Sequence, residues 1–223
     1  MQIESIHIES ILSQPFAENT FVLWLEGQTD CIVVDPGLEP DKILRFLSEH
    51  QLTPVAILNT HGHSDHIAGN EAMKTNWPDA PLMIGVADED KLSDPDKNLS
   101  GPFGLPLVSP PADKTLSDGD DLQLAGLQLK VLDTPGHSIG HVVFVCEKVS
   151  PTVVIGGDVL FNGGVGRTDF PDGSFEQLRD SIHNVLFPLA PDSLVFPGHG
   201  PHTTVGQEIE TNPFVGKPAG YRA

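Results

Sequence analysis

The chain has few cysteines and no long apolar run, and both absences limit the class of protein it can be. Its two cysteines, Cys31 and Cys146, lie far apart and form no CxxC pair, which excludes a disulfide framework and a cysteine metal site. No apolar stretch approaches the roughly 18 residues of a membrane-spanning helix, and residues 1–12 contain no lysine or arginine. We therefore expect a cytoplasmic protein without a membrane anchor or an export signal.

Positive charge is also scarce. Against 31 aspartates and glutamates the chain has 12 lysines and arginines, which gives a net charge of −19. Such a field repels phosphate backbones, so a nucleic-acid partner is not expected. The 223 residues, 39% of them apolar, suffice for one large domain with a buried core and argue against disorder along most of the chain.

Short apolar runs, separated by 22 glycines and 20 prolines, predict a series of β-strands. Phe21–Leu25 and Cys31–Val34 read as a hairpin that ends at Asp35-Pro36-Gly37. Val55–Leu58 is another short apolar strand. The series continues with Leu122–Leu124, Leu127–Leu132, Val142–Cys146 and Val153–Ile155, so we expect a second sheet.

Three segments have the apolar spacing of helices: Asp41–His50, Ile67–Trp77 and Phe175–Phe187. The third opens with Ser174 and has a glutamine three residues later, as in a capping box. Residues 88–121 are rich in acids and prolines, so we expect an excursion over the solvated surface.

The clearest motif is THGHSDH, which follows the predicted strand Val55–Leu58 and precedes a predicted helix. It places His61, His63, Asp65 and His66 within six residues at the carboxyl end of a strand, where α/β folds build their sites. Imidazole and carboxylate groups at this density are typical of metal ligands.

Three more candidate ligands follow later strands, each next to a glycine or proline that permits a tight loop: His137 in TPGHS, Asp158 in GGDVLF and His199 in PGHG. With the cluster they make seven nitrogen and oxygen ligands and no sulfur. Such a set suits zinc, iron or manganese. We expect two divalent ions, with zinc as the first choice.

These motifs, preceded by VVDPG, together resemble the metallo-β-lactamase fold superfamily from Val33 to His199. The resemblance implies an α/β fold of the αβ/βα sandwich type, in which two mixed β-sheets face each other and helices cover their outer faces. It also implies a single domain over residues 1–223, with the site at one edge where strand-end loops converge.

In dinuclear members of that family, the H-x-H histidines and the later GH histidine bind one metal, and the D-H pair and the last histidine bind the other. The matching residues, in that order, are His61, His63 and His137, then Asp65, His66 and His199. The resemblance implies that Asp158 bridges the ions and that Asp35 orders the histidine loop from behind.

Three longer segments are similar to the short glyoxalase II-like branch, the hydroxyacylglutathione hydrolases: NTHGHSDHIAG, GGVGRTDFPDGS and GHGPHTTVGQEIETNPF. That branch lacks the C-terminal helical domain with which full-length enzymes hold glutathione, and only 24 residues follow His199 here. The resemblance implies hydrolysis of thioesters such as S-lactoylglutathione. Arg167 occupies the position of the family's basic residue for the substrate carboxylate; its alternative is an ordinary loop ion pair with Asp169.

The expected mechanism needs no serine or cysteine nucleophile. Two metals lower the pKa of a shared water, and the bridging hydroxide attacks a carbonyl that they polarise. Asp65 would orient the hydroxide and accept its proton. A thiolate leaves with little acid assistance, whereas an amide nitrogen needs a proton donor, which favours a thioester over a β-lactam.

Four other functions compete with this hypothesis. Ser138, Asp158 and His199 follow the chain order of an α/β-hydrolase triad, but the run after Ser138 reads as a strand where that site needs a helix. GRTDF also resembles persulfide dioxygenases of the same superfamily, which hold one iron with two histidines and an aspartate. A metal-binding module without catalysis is the third alternative. The fourth, another hydrolase of this fold, includes nucleases, which the acidic charge disfavours.

Overall fold

The structure is a computed structural model that describes residues 2–3, 6–102 and 104–222. In its first sheet, seven strands are ordered as they occur in the chain. Its first four strands pair antiparallel, and the later ones pair in parallel. The strands are β1 Gln2–Ile3, β2 Ile6–Ser13, β3 Glu18–Leu25, β4 Asp30–Val34, β5 Thr53–Asn59, β6 Leu82–Gly85 and β7 Lys114–Leu116.

The second sheet has six strands in the order β15-β14-β11-β10-β9-β8. Only β11 and β14 pair in parallel. Its strands are β8 Asp121–Leu124, β9 Leu127–Asp133, β10 Val142–Cys146, β11 Val153–Gly157, β14 Leu194–Pro197 and β15 Thr203–Thr204, while β12 Leu160–Phe161 and β13 Gly164–Val165 form a separate ribbon.

Five α-helices and three tighter or wider helical turns lie among the described residues. The helices are α1 Pro40–Glu49, α2 Ser64–Ile67, α3 Asn70–Asn76, α4 Phe175–Ser181 and α5 Val205–Thr211. The turns are a π-helical turn Ile182–Leu186, which continues α4, and the 3-10 turns Val86–Leu92 and Lys217–Ala219. No helix in the described part of the chain has the length and apolar character needed to cross a membrane.

Three buried apolar clusters lie between the layers of the fold, which are the two sheets and the helices outside each of them. The central cluster joins residues of both sheets, such as Phe21 and Leu58 of the first with Phe144 of the second. A second cluster lies between the first sheet and helices α1 and α3. A third lies between the second sheet and helices α4 and α5. Each sheet is therefore apolar on both faces, and the fold is the αβ/βα sandwich expected from the sequence.

The structure confirms the hairpin and the later strands but corrects two predictions. The helix expected over Ile67–Trp77 is broken, since α2 ends at Ile67 and α3 begins at Asn70. Gly69 lies at the break, where a Cβ would come within 2.9 Å of Pro36. The expected surface excursion over residues 88–121 is wrong at its start, because Asp88, Lys91 and Leu92 are buried.

Replacing Phe144, which is fully buried between the sheets, with alanine should lower the free energy of unfolding by about 3–5 kcal/mol, because the cavity cannot close between two hydrogen-bonded sheets. Phe175→Ala is the control, since that ring is 43% exposed and its loss should cost less than about 1 kcal/mol. Denaturant unfolding measures both values. Equal losses would contradict the central position of Phe144.

Candidate metal centre

The seven candidate ligands come from loops that follow β5, β9, β11 and β14, and these loops meet at one edge of the sandwich. The THGHSDH motif leads from the buried end of β5 into the short helix α2. The other three ligands each follow a strand of the second sheet. Both sheets therefore contribute to one site, as the fold requires when strand ends converge.

Three overlapping groups have candidate ligand atoms within 4.8 Å of one another. The groups are His61, His63 and His137; His61, His66 and Asp158; and Asp65, His66 and His199. The first and third groups match the two ligand sets implied by the family resemblance, and Asp158 lies with His66 and His61 between them. The structure thus brings all seven predicted residues together.

Individual distances show how close the ligand atoms lie. The Nε2 atom of His137 is 2.9 Å from Nδ1 of His63 and 3.2 Å from Nε2 of His61. In the other group, Nε2 of His199 is 3.4 Å from a carboxylate oxygen of Asp65 and 3.5 Å from one of Asp158.

Two buried polar atoms of the candidate ligands, Nε2 of His66 and Oδ1 of Asp158, have no hydrogen-bond partner and lie 3.6 Å apart. Leaving such atoms unsatisfied costs free energy, and a metal ion would satisfy them. The residues present therefore fit two divalent metal ions.

The charges of the site also favour a cation. Burial lowers the pKa of His61 and of His63 well below the usual value, so both rings are neutral and able to bind a metal. Burial opposes the charged form of His66, but Asp65 and Asp158 outweigh it and raise the pKa of His66 well above its usual value. The carboxylates thus hold a positive charge on His66, and a divalent ion could supply that charge instead.

Asp35 supports the histidine loop from behind. It is buried at the end of β4, where Oδ1 accepts a hydrogen bond from the backbone N–H of Thr60 at 2.7 Å. Its other oxygen accepts from the Thr60 hydroxyl at 2.7 Å and lies 3.0 Å from Nδ1 of His66. Such contacts orient a ligating imidazole and fix its tautomer. Asp35 therefore lies where the resemblance predicts it.

His141 lies beside the ligands and is absent from the three groups. Its Nε2 accepts a hydrogen bond from the backbone N–H of Asp158 at 3.0 Å, and its Nδ1 is 3.0 Å from the Thr134 hydroxyl. Gly157 has a positive φ of 46°, and a Cβ there would come within 2.6 Å of Nε2 of His141. His141 thus positions the backbone of Asp158.

A buried ion cluster that no sequence motif predicted lies below the first ligand group. Asp88 accepts hydrogen bonds from the backbone N–H of Gly62 and of Gly140, both at 2.8 Å, and from the Ser138 hydroxyl. The Lys91 ammonium lies 3.1 Å from the Asp88 carboxylate and donates to Ser138. Gly62 separates His61 from His63, and Ser138 follows His137, so the cluster joins both loops that carry the first ligand group.

Lys91 also pairs with Asp172, 2.5 Å away, in the loop that follows Arg167. Ser138 is fully buried and engaged in this cluster, and strand β10 begins at Val142 with no helix between them. Both facts argue against Ser138 as the nucleophile of a catalytic triad.

Glu18 and Asn19 were missed as well. They begin β3 and attach it to the loop that carries His199: the N–H of Asn19 donates to Gly198 O at 2.8 Å, and its side chain donates to Pro197 O at 3.0 Å. Glu18 is almost fully buried with one carboxylate oxygen unpartnered, and burial raises its pKa well above the usual value. No local sequence pattern distinguishes these residues from other polar residues at a strand start.

A cavity of about 340 Å³ opens over the ligands. Five candidate ligands line it: His63, Asp65, His137, Asp158 and His199. The rest of its border consists of Phe16, Ser64, Leu99, Phe161, Val165, Arg167 and Phe170. Arg167 is half exposed, holds both oxygens of Asp169 at 2.8 Å and stacks over the Phe170 ring, 3.9 Å from its centroid. The predicted substrate residue therefore borders the cavity and also makes the loop ion pair that was its alternative role.

The chain belongs to the metallo-β-lactamase superfamily, whose family model matches residues 14–199. The motif-based prediction of the family is therefore confirmed, and with it membership in a superfamily of metal-binding hydrolases.

Three similar proteins carry different descriptions. Hydroxyacylglutathione hydrolase GloC of Haemophilus influenzae is 35% identical over 213 residues, which cover 94% of this chain and 98% of that protein. The crystal structure of BLEG-1 B3 metallo-β-lactamase has a TM-score of 0.89 at 36% identity, over 94% of this chain and 99% of that one. The crystal structure of TTHA1623 in a di-iron-bound form has a TM-score of 0.79 at 33% identity, over 92% of this chain and 99% of that one.

Replacing His63 with alanine should reduce the bound metal from two ions per chain to one, because the group of Asp65, His66 and His199 stays intact. Elemental analysis after dialysis against trace metal measures the content. His50→Ala is the control, since that histidine is exposed at the end of α1 and should leave two ions bound. Two ions in the His63 variant would rule out this division of ligands.

Lys91→Met should weaken metal binding by the first ligand group roughly tenfold to a hundredfold, as with other residues that hold ligands in place. The variant leaves the Asp88 carboxylate without its cation, so the loops at Gly62 and Ser138 lose a common anchor. Competition with a chromophoric chelator measures the affinity. Lys97→Met, which removes an exposed lysine paired with Asp90, is the control, and equal affinities in both variants would contradict the anchoring role.

Proposed function

We propose that the protein hydrolyses thioesters of the S-2-hydroxyacylglutathione type, releasing a 2-hydroxy acid and a thiol. The observation that carries this proposal is the complete set of seven ligands, grouped for two metals below a cavity with a basic side chain at its border. The similarity to GloC supports the thioester, and the similarity to BLEG-1 makes a β-lactam the competing substrate.

Two bound metal ions would supply a hydroxide at neutral pH and polarise the substrate carbonyl. His61, His63 and His137 would hold one, Asp65, His66 and His199 the other, with Asp158 between them. We propose zinc as the metal; the di-iron form of TTHA1623 makes iron the main alternative.

Asp65 is placed to orient the attacking water and take its proton. Its carboxylate borders the cavity and is 3.4 Å from Nε2 of His199. The water oxygen ends on the acyl carbon, the C–S bond breaks, and the thiolate leaves with the bonding electron pair.

The cavity offers little to protonate a poorer leaving group. Apart from the candidate metal ligands, the polar side chains on its described border are Ser64 and Arg167. A thiolate, with a pKa near that of cysteine at about 8.5, departs without a proton, whereas an amine does not. This difference favours a thioester over a β-lactam amide.

Arg167 is proposed to bind a carboxylate of the thiol part. Its guanidinium already holds Asp169, so a substrate carboxylate would share or displace that partner. Phe170 keeps the guanidinium plane over the cavity border by a cation–π contact. A planar fork of donors is suited to carboxylate binding.

A substrate panel tests the proposal on the metal-loaded protein. We expect hydrolysis of S-lactoylglutathione and little hydrolysis of a chromogenic cephalosporin. Oxygen uptake with glutathione persulfide on a protein that holds one iron, without thioester hydrolysis, would establish the dioxygenase instead. Turnover of the cephalosporin alone would establish a β-lactamase.

Arg167→Ala should raise KM for S-lactoylglutathione roughly tenfold and leave kcat nearly unchanged, because the lost contact holds substrate and transition state equally. Steady-state kinetics measure both constants. Arg179→Ala is matched to it as another exposed arginine paired with an aspartate, outside the cavity, and should behave as the unaltered protein. A fall in kcat with constant KM would remove Arg167 from carboxylate binding.

A further inference from the structure

A second recess adjoins the metal cavity and has an apolar lining. Its volume is about 220 Å³, and its apolar walls are Pro15, Phe16, Leu38, Leu105 and Leu107. It shares Phe16 and Ser64 with the cavity over the candidate metal ligands, so the two spaces adjoin at these side chains. Neither Arg167 nor Phe170 borders it.

The exposure of this recess is unusual for so acidic a chain. Leu105 is 76% exposed, Phe16 47% and Leu38 37%, which places three large apolar side chains around one opening although the net charge is −19. Contiguous exposed apolar surface of this kind marks a binding site more often than an accident of folding.

We propose that this recess binds the apolar acyl chain of a thioester substrate. The inference rests on the proposed function, because the scissile carbonyl must lie over the metal ligands. If the thiol part extends toward Arg167, the acyl part has the other exit from the cavity, past Ser64 and Phe16. A lactoyl group has only a methyl group beyond its hydroxylated carbon, so on this proposal the recess distinguishes longer acyl groups from it.

The size of the recess sets the length of the chain. At roughly 30 Å³ for each water-sized group, about 220 Å³ accommodates about seven such groups. Because the carbonyl carbon stays over the candidate metal ligands, this corresponds to an acyl chain of about eight carbons or slightly more. Burial of each methylene should raise kcat/KM by up to about fourfold until the recess is full.

The test is a chain-length series on the metal-loaded protein, with glutathione as the constant thiol and acetyl, butanoyl, hexanoyl, octanoyl, decanoyl and dodecanoyl as acyl groups. We expect kcat/KM to rise with length, chiefly through KM, and to level off near eight carbons. Leu105→Ser and Leu38→Ser should each lower the ratio of octanoyl to lactoyl turnover by about fivefold or more. Both side chains are exposed, so these variants should fold, and thermal unfolding verifies it.

Phe214→Ser is the matched control, since Phe214 is 51% exposed and lies outside the recess. It should keep the ratio of the unaltered protein.

A flat chain-length series with intact S-lactoylglutathione hydrolysis would overturn the acyl recess alone, whereas loss of all thioester hydrolysis would overturn the proposed function. Sedimentation velocity measures the oligomeric state, which tests whether a second copy of the chain covers the recess instead of an acyl chain. A dimer that Leu105→Ser dissociates, without any change in the chain-length series, would also overturn the inference.

Discussion

The site depends on one electrostatic constraint: buried imidazoles and carboxylates are held at one edge of the sandwich with too few hydrogen-bond partners among themselves. His66 and Asp158 each keep a buried polar atom unsatisfied. Asp65 and Asp158 beside His66 concentrate negative charge where water has been removed. A folded chain can tolerate this arrangement only at a cost in stability, and bound cations relieve that cost. Metal binding and the stability of this edge are therefore coupled.

The rest of the fold holds the loops that carry the candidate ligands in fixed positions relative to one another. The central apolar cluster joins the sheets, Asp35 joins the ends of β4 and β5, and Asn19 fastens β3 to the loop of His199. Lys91 connects the loops after β5 and β9 through its contacts with Asp88 and Ser138. Its contact with Asp172 extends this anchoring to the loop that carries Arg167. Ligand and substrate positions are thus linked by buried polar contacts.

Much of this site could be predicted from the sequence, because its ligands belong to short motifs at strand ends. THGHSDH is specific by its spacing alone, and the later histidines and Asp158 follow strands with clear apolar patterns. Asp88 and Lys91 could not be found in this way, because they lie in an acid-rich segment. Their partners are distant in sequence: Asp88 accepts hydrogen bonds from the backbone of Gly62 and Gly140, and Lys91 donates to Ser138. The break between α2 and α3 likewise depends on a contact of Gly69 with Pro36 that helical periodicity does not reveal.

The most direct test of the account is activity as a function of metal content. The chelator-stripped protein is titrated with zinc, and in parallel with iron(II), while S-lactoylglutathione hydrolysis is followed at each addition. The account predicts that hydrolysis rises mainly with the second equivalent and reaches a plateau at two ions per chain. Full hydrolysis at one equivalent, or hydrolysis in the stripped protein, would contradict a dinuclear thioester hydrolase.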